Sequence, residues 1–65
     1  MLWERSGNSL YATVRDPLGV VRYRLSAERG AFESWNWVVR HDGELIQGVA
    51  DTEQNALQLS VLATR

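Results

Sequence analysis

Asp42-Gly43, set between two runs of alternating apolar and polar residues, constrains this chain more than any other feature. An Asp-Gly pair accepts the positive φ angles of a type I′ turn, whose twist matches that of the strands it joins. With these two residues as the turn, His41 pairs with Glu44, Val39 with Ile46, Trp37 with Gly48 and Trp35 with Ala50. Large side chains then oppose small ones, and Trp37 covers the bare backbone of Gly48. The other face carries Asn36, Val38, Arg40, Leu45, Gln47 and Val49. A hairpin is therefore expected over residues 32–50.

A second hairpin is expected over residues 9–26. Leu10, Ala12 and Val14 alternate with polar neighbours, as do Val21, Tyr23 and Leu25. A period of two belongs to a half-buried strand. Asp16-Pro17-Leu18-Gly19 has Pro and Gly where a type I turn places them, and Pro17 excludes a primed two-residue turn. A four-residue loop pairs Val14 with Val21, Ala12 with Tyr23 and Leu10 with Leu25, which keeps all six on one face. A three-residue loop pairs Val14 with Arg22 and mixes the faces, so the first register is expected. It sets Arg22 opposite Thr13 and Arg24 opposite Tyr11.

One helix closes the chain. Asp51 is the expected N-cap, with Gln54 completing a capping box, Glu53 in the first turn and Arg65 near the far end. Ala56, Leu59, Leu62 and Ala63 form one stripe at helical spacing, with Leu57 and Val61 outside it. Residues 2–5 read as a short edge strand that buries Trp3, and residues 27–31 as a loop. The expected fold class is α+β: an antiparallel sheet of about four strands, built as two hairpins, with the C-terminal helix on one face. Trp35, Trp37, Val39, Ile46, Leu10, Val14, Tyr23 and Leu25 should line the core, met by Leu59 and Leu62.

With 65 residues, the chain is one small domain spanning residues 1–65. It contains no Cys and one His, which excludes disulfides and thiolate metal sites. A core this small supplies about 3–5 kcal/mol, so packing or self-association must stabilise it. Leu2 and Trp3 sit among charged neighbours rather than in an apolar leader, and no apolar run approaches the roughly 20 residues of a membrane span. The chain is thus expected in the cytoplasm, away from membranes.

Catalytic chemistry finds no constellation, so no catalytic residue, metal or cofactor is assigned. His41 is the only general-base candidate for the serines, and it reads as a solvated turn residue. Binding surfaces are better supported. Tyr11, Arg15, Arg22 and Arg24 share the outer face of the first hairpin and form a candidate partner site for carboxylates or phosphates. Val38, Leu45 and Val49 form an apolar face the helix does not cover, and Leu57 and Val61 form another off the helix stripe. Uncovered apolar patches mark association surfaces, so a two-fold homodimer or a protein partner is expected.

The function expected from these features is a non-enzymatic protein-binding module. In size it compares with small phage or mobile-element inhibitors of host protein complexes, the anti-CRISPR proteins among them. The alternative is DNA binding through the sheet. A sheet followed by Gly48-Val49-Ala50-Asp51-Thr52-Glu53-Gln54-Asn55-Ala56 and a helix loosely resembles the N-terminal arm-binding domains of phage integrases, in which a three-stranded sheet enters the major groove. That resemblance implies DNA contacts from Tyr11, Arg15, Arg22 and Arg24. A net charge of −1 makes nucleic acid the less favoured partner.

Overall fold

The computed structural model describes residues 2–64. Five strands, β1 (Glu4–Ser6), β2 (Ser9–Arg15), β3 (Val21–Arg29), β4 (Trp35–His41) and β5 (Glu44–Ala50), precede one helix, α1 (Glu53–Leu62). The strands form a single antiparallel sheet in the order β1-β2-β3-β4-β5. The fold is α+β, with one strand more than the hairpin patterns indicate. The additional strand is β1, the short edge strand expected over residues 2–5 but shifted to Glu4–Ser6, whose Arg5 pairs with Leu10 and whose Glu4 pairs with Tyr11.

The β4–β5 hairpin has the expected register throughout, from His41 opposite Glu44 to Trp35 opposite Ala50. Asp42 and Gly43 have φ angles of 48° and 80°, the pair of positive values a type I′ turn requires. The Trp37 ring lies flat over Gly48. A Cβ built there would stand 2.6 Å from Trp37 Cζ2, so only glycine admits the ring this close.

The β2–β3 hairpin corrects the expected register. Val14 pairs with Tyr23, Ala12 with Leu25 and Leu10 with Ala27, while Arg15 pairs with Val21. Turn chemistry wins at the tip. Gly19 donates to the Asp16 carbonyl at 2.9 Å and takes a φ of 86°, and the Asp16 amide donates to the Val20 carbonyl. This is a three-residue loop with glycine in the left-handed position. Alone it would turn the apolar residues of β3 to the wrong face. The register shift between Val14 and Arg15 inserts Arg22 as an extra residue and restores the faces. Two one-residue offsets therefore add to a whole side-chain period.

Asp16 organises that tip. Its carboxylate accepts from the Leu18 and Val20 amides at 2.9 and 3.0 Å and from Arg22 Nε at 3.1 Å. The Val20 amide foremost, then that of Leu18 and the Arg22 guanidinium, hold its carboxyl below the ordinary 3.8, against a partial opposing effect of desolvation. A lowered folded-state value means the stabilisation is complete above 3.8 and disappears as pH falls through the lower folded value. Acid titration of Tm should therefore be shallower in Asp16→Asn than in the wild type below pH 3.8. Parallel acid limbs would show that the carboxylate contributes nothing to the tip.

Residues 27–29 continue β3 rather than forming a loop, and Ala27 is fully buried. The chain turns at Ala31–Ser34 instead. Phe32 and Glu33 have φ angles of 57° and 60°, and the Ser34 amide donates to the Ala31 carbonyl. Phe32 is fully exposed, and β4 begins only at Trp35.

The N-cap of α1 is Thr52 rather than Asp51. The Thr52 hydroxyl accepts from the Asn55 amide, and Asp51 accepts from the Asn55 side chain. Glu53 occupies the first turn and pairs with Arg5 at 2.7 Å, joining β1 to the helix start. Arg65 lies outside the described residues.

The helix packs on β3, β4 and β5 with a different face from the expected stripe. Ala56 and Ser60 are fully buried, whereas Leu59 and Leu62 are 40 % and 55 % exposed. The helix is rotated by roughly a quarter turn, at 100° per residue. The sheet face explains the choice. It presents Leu25, Val39, Trp35 and Trp37, and such bulky residues fit against small ones on the facing helix. Ser60 satisfies its hydroxyl on the Leu57 carbonyl at 2.8 Å. Leu57, Val61 and Trp3 are half-buried and pack on the same core. Leu57 and Val61 thus flank the core and, with Trp3 and Leu62, also line an open depression on the surface. Ile46 is 43 % exposed because β5 is an edge strand that the helix only partly covers.

Candidate binding surface

The face away from the helix is uncovered. Its side chains fall in cross-strand rows set by the register. Thr13, Arg24, Arg40 and Leu45 form one row. Tyr11, Ser26, Val38 and Gln47 form the next, with Glu4 at its β1 end. Ser9, Glu28, Asn36 and Val49 form a third.

Arg24 directly opposes Arg40, an arrangement in which like charges destabilise a sheet. Neither guanidinium takes part in an ion pair among the described residues. Both arginines line two shallow depressions. One contains Tyr11, Leu25 and Ser26; the other runs toward Arg22 and the Asp42-Gly43 turn. Tyr11 is 48 % exposed at the rim of the first. The surface offers two planar cations, a phenol and the Ser26 hydroxyl within one patch, flanked by the apolar Val38, Leu45 and Val49. Such a patch can hold a carboxylate or phosphate bidentately while apolar contacts surround it.

The structure separates the four partner-site residues expected from sequence. Arg24 and Tyr11 are on the patch, as diagonal rather than opposite neighbours: Arg24 faces Thr13 and Tyr11 faces Ser26. Arg22 is occupied, because Asp16 holds its guanidinium at 3.0 Å and its Nε at 3.1 Å. Arg15 is turned to the hairpin tip, where it donates to the Gly19 carbonyl at 2.8 Å. Arg40 takes their place. Sequence reasoning put it on the same side of its hairpin as Val38 but did not join the hairpins. The missing link was the β3–β4 turn, where neither Phe32 nor Glu33 advertises a positive φ.

His41 is not a solvated turn residue. It is half-buried, stacks on Tyr23 with ring centroids 4.4 Å apart, and donates from Nδ1 to the Arg22 carbonyl at 2.7 Å. That contact braces the bulge. No serine hydroxyl bonds the ring among the described residues, and no group of acidic, His or Cys side chains there is arranged to hold a metal. No helix of the described residues is long and apolar enough to cross a membrane.

No family model, curated protein or solved structure matches the chain.

Proposed function

We propose that the chain is a non-enzymatic protein-binding module whose uncovered sheet face grips an acidic surface on another protein. The observation that carries this reading is the Arg24–Arg40 pair. Two directly opposed cations with no carboxylate partner among the described residues raise the free energy of the free protein, and an anionic ligand between them relieves the repulsion. Tyr11 and the arginines are the residue types that dominate interface hot spots. Val38, Leu45 and Val49 supply the apolar part of the contact.

The pair makes a prediction with opposite signs for stability and function. Arg40→Glu converts the like-charge pair into a cross-strand ion pair, which should gain about 0.2–1 kcal/mol of stability. The same substitution should weaken partner capture. A variant that is both less stable and fully competent in capture would dispose of the reading.

DNA binding is the second reading, favoured by one specific observation: both arginines project from the centre of an open antiparallel sheet. Capture from cell lysate with and without nuclease distinguishes the two. Protein partners that persist after nuclease support the first; partners lost with nuclease, with salt-sensitive binding of purified duplex, support the second.

A further inference from the structure

The two edges of the sheet differ in a way that points to a specific partner. β1 is short, its Glu4 and Arg5 are charged, and Arg5 is tied to Glu53 of the helix. These are devices that discourage strand addition. β5 has none of them. Its seven residues, Glu44-Leu45-Ile46-Gln47-Gly48-Val49-Ala50, contain no proline and no bulge, and the only charge is at the first position. Leu45, Ile46 and Val49 are exposed along it.

The hydrogen-bonding polarity of this edge follows from the turn. In a two-residue hairpin the flanking residues, here His41 and Glu44, exchange hydrogen bonds. Alternation then turns the backbone groups of Glu44, Ile46, Gly48 and Ala50 toward β4. Those of Leu45, Gln47 and Val49 point outward, with no neighbouring strand. We propose that β5 pairs antiparallel with β5 of a second copy, about a two-fold axis through Gln47, to make one continuous sheet.

The register centred there is the one that pairs all three outward residues with one another. Gln47 meets Gln47 of the second copy and Leu45 meets Val49, so every outward N–H and C=O of these residues finds a partner. On the uncovered face the apolar Leu45–Val49 contacts flank the two glutamines. On the helix side Ile46 faces Gly48 of the second copy and lies diagonal to its Ile46, a contact that covers the side chain α1 leaves exposed. Glu44 faces Ala50, so no like charges are directly opposed. Centring the pairing on Gly48 instead would put Leu45 against Asp51. The dimer leaves Arg24 and Arg40 open and shares only Leu45 and Val49 with the proposed partner face, so sedimentation and cross-linking of the purified chain test it separately from partner capture.

Sedimentation equilibrium at micromolar concentration should give twice the 7.4 kDa chain mass. Gln47→Pro removes an outward donor that β4 does not use, so it should keep the sheet's circular dichroism while weakening association by on the order of a hundredfold. The absence of native cysteine supplies a second route that leaves the backbone intact. Under mild oxidation Gln47→Cys should cross-link on the order of tenfold faster than the interior-strand control Thr13→Cys, since paired residues across an antiparallel ladder lie within disulfide reach. A wild-type monomer throughout the micromolar range, or equal cross-linking rates at the two positions, overturns the proposal.

Discussion

Trp37→Ala should leave this protein unfolded at room temperature. Trp37 packs against both clusters of the core, Leu10/Ala27/Ala50/Ala56 on one side and Ala12/Leu25/Val39 on the other, whereas Trp35 packs against only the first. Trp37 is half-buried but spans both clusters, so removing its indole costs up to about 3–5 kcal/mol, and a core of this size supplies about the same. Trp35→Ala should cost less and leave a measurable melting transition. Trp37→Phe should also fold. It keeps an aromatic ring in the core, gives up the Cζ2–Nε1 edge of the indole that lies over Gly48, and discards an N–H that is buried without a hydrogen-bond partner among the described residues. Thermal denaturation followed by circular dichroism checks the order. Equal losses for the two alanine variants would mean that Trp37 does not join the two halves of the core.

The second large effect concerns the helix. Ala56 is fully buried against the sheet and has no room to grow, so Ala56→Leu should cost about 1–3 kcal/mol by overpacking and bring Tm down sharply. Leu59→Ala and Leu62→Ala should each cost less than Ala56→Leu, because both side chains are only about half out of water. The reverse order, a tolerated Ala56→Leu and a disabling Leu59→Ala, would restore the helix orientation that the sequence pattern suggests.

That contrast shows where the sequence was readable and where it was not. The Asp42-Gly43 turn specified its hairpin residue by residue, because local turn chemistry and large-on-small pairing required the same register. At Asp16–Gly19 the two criteria disagreed, and a bulge at Arg22 satisfied both at once. Nothing in an alternating pattern reveals such a bulge, since its effect is to leave the pattern unchanged. The helix misled for another reason. Its leucines mark the most hydrophobic stripe, but the sheet beneath is already filled by Trp35 and Trp37, and volume complementarity selected Ala56 and Ser60. On the uncovered sheet face, the positions of Tyr11, Arg24, Val38, Leu45 and Val49 were legible from strand alternation alone. The role of Arg40 depends on a β3–β4 pairing made by a turn of Phe32 and Glu33, residues that rarely adopt positive φ.

The central functional claim is that the sheet face, not the helix, meets the partner. A change of charge on each face in turn tests it most directly. Arg24→Glu with Arg40→Glu alters the uncovered sheet face, and Gln54→Arg with Gln58→Arg alters the exposed side of α1. All four positions are exposed, so both double variants should fold. Affinity for the protein captured by the wild type, measured on nuclease-treated material, should fall by about tenfold or more in the sheet-face variant and stay within about twofold in the helix variant. Unchanged affinity in the sheet-face variant, with loss in the helix variant, would contradict the account.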